Sequence, residues 1–387
     1  MKKITCILVF FLCACLSARS AEDIHLIHGP YLQNLTANEV TIVWIADKPS
    51  IGWVELAPDG DDSFYSTERP KTFDSRCGVK NTSTVHVVQL KGLQPNTRYR
   101  YRVYAQEVLE HKSNHVIYGN VAATDVYSKK PLTFKTCNQN ASSISFAMVN
   151  DIHGRNDVLT TLISKCDLKN TDFFIFNGDM VSIFNDEEQV FGGFMDTATK
   201  LFASQTPMYY TRGNHETRGT MATEFQRYFS PKQPNIYYTF RQGPIFFVIL
   251  DTGEDKPDND IEYAGITDYD NYRTEQVNWL REVLQSKEYK EAPFKIIVGH
   301  MPPENGWHGQ REIMTKFVPL LNEAKPDLML CGHLHLYRHD TPTSAINFPI
   351  IVNSNNSVLQ AEANGNELKV KVTDVTGKEL DQFTIRK

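Results

Sequence analysis

The sequence predicts two domains of different class, an all-β sandwich followed by an α/β layered domain. Three observations carry that expectation. Over residues 24–137 apolar and polar residues alternate with period two, and turn residues separate the runs. From residue 142 onward, short near-continuous apolar runs alternate with segments of helical spacing, as in parallel sheets buried on both faces. Five of those runs stop abruptly at a residue able to ligate a metal. A chain of 387 residues also exceeds the usual size of a single core.

Taken in order, the chain begins with Lys2 and Lys3, an apolar run over 4–16 and small residues at Ser17, Ala18 and Ser20. That is the pattern of a bacterial-type secretory signal over residues 1–20, too short for a permanent span. Residues 12–15 also resemble a lipoprotein box, with Cys15 as the site of a lipid anchor. The expected location is therefore periplasmic or extracellular, either soluble or lipid-anchored to the envelope. Cys77, Cys137, Cys166 and Cys331 follow no zinc-knuckle or disulfide spacing, and Cys331 reads as a core residue. A formal net charge of -6, with 41% hydrophobic and 22% charged residues, describes an ordinary globular chain and argues against nucleic acid as a stable partner.

In the first domain, residues 39–45, 84–90 and 99–104 alternate as half-buried strands, and 132–136 reads as a last strand. The histidines His25, His28, His86, His111 and His115 are scattered and form no ligand set. A polar stretch places the boundary near Asn138. In the second domain helices are expected over 156–165, 186–201, 217–229, 274–284 and 311–321. The tail is expected to return to strands, with hairpin signals at Asn364-Gly365 and Thr376-Gly377. Residues 252–272 read as a long acidic and aromatic loop, either a specificity loop or a plain surface insertion.

The chemistry lies at the strand ends. In open α/β sheets ligands gather beyond the carboxyl ends of strands. The runs 144–150, 173–178, 208–213, 294–299 and 327–332 deliver Asp151, Asp179, Asn214, His300 and His333 there, with His153 and His335 two residues beyond Asp151 and His333. Asp151, His153 and His335 suit one ion; Asn214, His300 and His333 suit a second. Asp179 can bridge both, because a carboxylate has two oxygens. Carboxylate, amide and imidazole without thiolate suit Mn, Fe, Zn or Mg. Two such cations, about 3.5–4 Å apart, convert a bridging water to hydroxide and clamp an in-line displacement at phosphorus. His215, beside Asn214, is the expected acid for the leaving group or the stabiliser of phosphoryl oxygens, with Glu216 or another carboxylate setting its tautomer. Arg212 either reaches a phosphate or forms a structural ion pair. Arg338 and His339 read as rim residues.

Asp151-Ile-His153, Gly178-Asp179, Gly213-Asn214-His215-Glu216, Gly299-His300 and Gly332-His333-Leu-His335 resemble, in order, the five motifs of the calcineurin-like metallophosphoesterases. That resemblance implies a four-layer αββα sandwich over 142–387, a binuclear metal site and phosphoric ester hydrolysis. Residues 93–99, ending in Tyr99, resemble the corner tyrosine signature of fibronectin type III domains, and Gly29-Pro-Tyr-Leu-Gln-Asn34 resembles the entry to the N-terminal module of purple acid phosphatases. His308, within Trp307-His-Gly309, resembles the substrate-facing histidine region of those enzymes. Their metal-binding tyrosine has no counterpart after Asp179, so a colourless protein is expected.

The expected activity is hydrolysis of phosphate monoesters. A phosphodiesterase acting on nucleotide, lipid head-group or glycan phosphate is the alternative enzyme. A cell-envelope binding protein using the fibronectin-like module is the alternative of another class.

Overall fold

In a computed structural model of the chain, the described residues are 23–138, 141–230 and 235–387. The leader and Cys15 lie outside them, as do residues 139 and 140 just past the expected boundary. Among the described residues the strands fall mainly into two large sheets. The first runs, in spatial order, Glu379–Arg386, Glu367–Asp374, Ser357–Asn364, Ser143–Val149, Phe173–Asn177, Met208–Thr211, Leu26–Gln33, Glu39–Pro58, Arg98–Lys112 and His115–Ala123. The second runs Tyr238–Gln242, Ile245–Leu250, Phe294–Gly299, Leu328–Cys331, Ile350–Val352 and Arg338–Asp340.

The layers follow from alternation along each strand. Phe146, Met148, Phe173 and Ile175 face Phe247, Ile249, Ile296 and Val298 across the space between the two sheets. Their neighbours Ala147, Val149, Phe174 and Phe176 face the opposite way, onto Leu159, Leu162 and Ile163 of helix Asn156–Ile163 and onto Phe194 and Phe202. On the far side of the second sheet, Val248, Leu250, Ile297 and Met329 pack on Leu280, Leu284, Ile313 and Phe317. Helices, sheet, sheet and helices therefore form four layers. Strands covered on both faces lose the simple polar alternation and read as continuous apolar runs.

Strands Ser143–Val149, Phe173–Asn177 and Met208–Thr211 are mutually parallel. So are Ile245–Leu250, Phe294–Gly299, Leu328–Cys331 and Ile350–Val352. All five anticipated runs are strands. A further one, Ile245–Leu250, has the same design, ends at Asp251 and was not expected.

Four other expectations are corrected. The helix over 217–229 is replaced by short turns, His215–Thr217, Ala222–Glu224 and Phe225–Tyr228. Gly219 lies between them at φ 105°, where a Cβ would collide with the carbonyl of Phe184, so a right-handed helix cannot pass through. The helix over 274–284 starts earlier, at Tyr269, because the Asp258 carboxylate accepts from the N–H groups of Tyr269 and Asp270 at 2.7 and 2.9 Å. That cap comes from eleven residues upstream of Tyr269, beyond the reach of a local capping rule. The 252–272 segment is thereby shortened, and it contains a 3-10 turn at Ile261–Tyr263. The helix over 186–201 forms as a run from Glu187 to Ala203 with π-type turns at Phe191–Met195 and Thr199–Ala203.

The first domain is β-rich and joins the second through the sheet itself: Gln33 pairs in parallel with Met208. Tyr31 Oη and Gln33 Nε2 donate to the carbonyl of Tyr228 at 2.9 and 2.8 Å, and Tyr101 Oη donates to that of Ser204 at 2.6 Å. The Tyr99 hydroxyl accepts from the N–H of Gln94, a local corner five residues back. All four described cysteines are free, Cys331 deep in the core and Cys77 exposed. No described helix is long and apolar enough to cross a membrane.

Candidate metal centre

The parallel strands end at one edge, and backbone hydrogen bonds lace the turns there together. The N–H of Asp151 donates to Gly178 O at 2.9 Å, that of His153 to Asp179 O at 3.0 Å, and that of Gly332 to His300 O at 2.8 Å. Five of the seven expected ligands sit in the left-handed region: Asp151, His153, Asp179, His333 and His335, with φ between 50° and 71°. Residues with a Cβ rarely occupy it, at a cost of about 1–2 kcal/mol each. Such strain persists where the surroundings enforce it and concentrates at functional sites. Gly178 and Gly213 meet back to back, and a Cβ on Gly178 would collide with the His300 ring, so this close approach requires glycine.

Two groups of ligand atoms result. Asp151, His153, Asp179 and His335 each offer an atom, and all lie within 4.8 Å of one another; Asp179, His300 and His333 do the same. Asp179 is common to both. Its Oδ2 lies 3.1 Å from His300 Nε2 and 3.9 Å from His153 Nε2, while Oδ1 accepts from the N–H of His215 at 2.9 Å. Asn214 joins the second group, its Oδ1 3.0 Å from His333 Nδ1. All seven expected ligands are thus brought together.

The ring orientations are set from behind. His300 Nδ1 meets the carbonyl of Asn177 at 2.7 Å, which aims Nε2 into the cluster. Asp151 Oδ2 accepts from Asn150 Nδ2 at 2.6 Å and from the N–H of His333 at 2.9 Å, leaving Oδ1 to the cluster. His153 Nε2 and His335 Nε2 converge at 3.3 Å. Burial lowers His153 to about 4, with the Asp179 charge opposing, so its ring is neutral near pH 7. Burial and the neighbouring His300 lower His333 to about 4 as well. His300 goes the other way: against burial, Asp179 and Asp151 raise it to about 10.

These residues fit a pair of divalent cations. Asp151 Oδ1 and His300 Nε2 are buried and make no well-formed hydrogen bond; what they face is other ligand atoms, His335 Nε2 at 3.2 Å from Asp151 Oδ1 and Asp179 Oδ2 at 3.1 Å from His300 Nε2, a convergence that cations between them would satisfy. The donor set is oxygen and imidazole nitrogen around a shared carboxylate, suited to borderline or hard ions.

His215 lies beside the cluster, its Nε2 3.9 Å from Asp179 Oδ2 and its ring centroid 4.7 Å from that of His153. Its Nδ1 meets the carbonyl of Ser182 at 2.8 Å. This corrects the role expected of Glu216. The buried Glu216 carboxylate instead accepts from the N–H groups of Asp179, Met180, Val181 and Gly213 and from the Tyr210 hydroxyl, at 2.7–3.2 Å, clasping the two turns that carry Asp179 and Asn214. Arg212 takes the second of its two expected roles. It is buried, its Nη2 is 2.7 Å from Asp251 Oδ2, and Tyr272 Oη donates to the same oxygen, so its guanidinium serves a structural pair rather than a phosphate. His308 Nε2 meets Asp270 Oδ1 at 2.7 Å, at the start of helix His308–Lys316; it clusters with Asp270 and Glu312, apart from the two groups that share Asp179. Arg338 pairs with Glu304 and Asp340, and His339 with Asp381.

Two contributors escaped the sequence reading. Ser182 touches both His153, through its hydroxyl at 3.2 Å, and His215, through its carbonyl. Only its place three residues after Asp179 hinted at that. Asp251 was legible in principle, because the run Ile245–Leu250 ends at it as the other five runs end at ligands.

Comparison with known proteins places these features among related sequences. A family model described as calcineurin-like phosphoesterase matches residues 144–337, and one described as purple acid phosphatase, N-terminal domain matches residues 27–130. Purple acid phosphatase 21 of Arabidopsis thaliana is 23% identical over 300 residues, covering 71% of this chain and 60% of that protein. Probable purple acid phosphatase 20 of the same plant is 25% identical over 320 residues, covering 75% and 66%. The chain thus spans just under two thirds of the length of these curated relatives. Among solved structures, TT1561 of Thermus thermophilus matches with a TM-score of 0.39 and 13% identity, over 63% of this chain and 98% of that one.

Proposed function

Because the chain belongs to the calcineurin-like phosphoesterase family, we propose that it hydrolyses phosphate monoesters at a binuclear centre held by Asp151, His153, Asp179, Asn214, His300, His333 and His335. The single observation that carries this reading is the shared Asp179, common to two ligand groups whose other members arrive from separate strands. When bound, two divalent cations would supply an activated water and withdraw charge from the phosphoryl oxygens.

The chain's own residues do the rest. The carbonyl of Ser182 fixes the proton of His215 on Nδ1 in the neutral ring, and protonation then puts a second, transferable proton on Nε2. That nitrogen is the one on the cluster side, 3.9 Å from Asp179 Oδ2. His215 is therefore suited to donate to the leaving oxygen or to steady a phosphoryl oxygen. Glu216 keeps the turns of Asp179 and Asn214 in register, and the Arg212–Asp251 pair braces the strand end that presents Asn214. The purple acid phosphatase names of the relatives favour monoesters over diesters. We further propose, from the leader-like start of the chain alone, that the protein acts outside the cytoplasm.

The test is phosphate release from a chromogenic monoester and its matching diester, by metal-reconstituted protein and by His215→Ala. Wild type is expected to prefer the monoester. The variant should keep its metal content and lose about 10²–10⁴ in kcat. Diester preference would replace the monoester reading, and no cleavage of either ester with Mn, Fe, Zn or Mg would end the enzymatic one.

A further inference from the structure

Six large apolar side chains are exposed in the described chain beyond residue 141: Leu168, Ile183, Ile261, Ile266, Trp307 and Leu336. Apart from Leu168, every one lies on a loop that follows the carboxyl end of a strand at the metal centre. Ile183 comes directly after Ser182, which touches His153 and His215. Leu336 follows His335, the most exposed of the clustered histidines, with 46% of its side chain open to solvent. Trp307 opens the helix His308–Lys316, with Lys256 Nζ 5.6 Å over its ring. Ile261 and Ile266, 95% and 88% exposed, project from the segment that Thr217 and Arg218 tie to the His215 turn through Glu254.

Scattered surface apolar residues need no explanation, and seven more lie in the first domain; what distinguishes these five is that each follows a strand end on the edge that carries the ligands, where an apolar surface can meet a substrate. The charges on these loops narrow the occupant. Arg218 pairs with Glu254 and Asp255, and Lys256 with Glu262 and Asp255. Asp260 flanks Ile261 and Asp268 stands near Ile266, so an anionic bilayer would meet acidic groups together with cations already spent. A single ester molecule meets no such penalty: its phosphate goes to the metal centre and its organic part rests on the apolar rim.

We propose that Ile183, Trp307 and Leu336, together with Ile261 and Ile266, form an apolar rim at the metal centre that seats the apolar alcohol portion of the substrate, making the enzyme selective for phosphate esters of hydrophobic alcohols. This rests on the phosphoesterase reading and adds the substrate class.

The test uses the metal-reconstituted full chain and the series ethyl, butyl, hexyl and octyl phosphate, compared below the micelle threshold, with octyl phosphate also carried above it. Full burial of a methylene is worth about fourfold, and a half-open rim should give about twofold per methylene in kcat/KM. Trp307→Ala and Leu336→Ser should each lower the octyl-to-ethyl ratio several-fold. A flat series with active enzyme overturns the proposal and leaves the phosphoesterase reading standing. A rate increase confined to concentrations above the micelle threshold overturns the single-molecule seat and assigns the rim to an aggregated surface. If no ester is cleaved, the phosphoesterase reading fails, and binding decides the rim separately. Octyl phosphate, unlike ethyl phosphate, should shift the tryptophan emission in wild type but not in Trp307→Phe; equal responses to the two ligands overturn the proposal.

Discussion

At the scale of single residues, Glu216 shows how far a side chain's role can lie from its neighbour's. It adjoins His215 in sequence, yet its carboxylate accepts four backbone N–H groups and the Tyr210 hydroxyl and makes no bond to that ring. Glu216→Gln presents an amide NH₂ where donors converge, and is expected to cost about 2–3 kcal/mol in chemical denaturation, because buried donors lose their acceptor. His300 carries the second prediction. Its folded pKa is held at about 10 by Asp179 and Asp151 against burial, so at pH 7 the metal-free ring is protonated. A ligating imidazole must be neutral, so metal uptake releases that proton and apparent affinity rises with pH, levelling off near 10. Calorimetry at pH 7 in buffers of different ionisation enthalpy should find about one proton released per chain from this ring. The ligand identities were legible in sequence because each ends an apolar run. The partners that orient them were not: Ser182, Asn150 and the carbonyl of Asn177 act through contacts that only the folded turns create.

At the scale of elements, legibility followed burial. The runs at 144–150, 173–178 and 294–299 announced strands because both faces are covered, and the residue ending each run stands beyond a carboxyl end. Where long-range contacts decide, local pattern misled. Helical spacing over 217–229 was overridden by Gly219 pressed against Phe184, and the start of helix Tyr269–Gln285 was set by Asp258. The turns holding Asp179 and Asn214 depend on the close approach of Gly178 and Gly213. Gly178→Ala is expected to displace the His300 ring and reduce metal content at least tenfold, measured by elemental analysis of purified protein. Gly154→Ala, at another positive-φ glycine but with open space around it, should retain most of the metal.

For the whole molecule, the two domains share more than a boundary. Tyr31, Val43, Ile45 and Val85 of the first belong to the same apolar cluster as Phe194, Tyr210 and Phe229 of the second. The parallel pairing of Gln33 with Met208 places the first domain against the strand that leads to Asn214. The period-two pattern made the first domain legible as β-rich. Its continuity with the catalytic sheet was not, since pairing between strands far apart in sequence leaves no local mark. Both units are expected to unfold in one calorimetric transition, and two well-separated transitions would show that this interface does not couple them.

Two cations sharing Asp179 are the core of the proposed chemistry, and counting them is the most direct test. Elemental analysis of wild type and of Asp179→Asn, after reconstitution with Mn, Fe, Zn or Mg and removal of loose metal, should find two ions per wild-type chain and fewer than one per variant chain. A single ion in wild type, or a variant that keeps both, would contradict the shared-carboxylate centre.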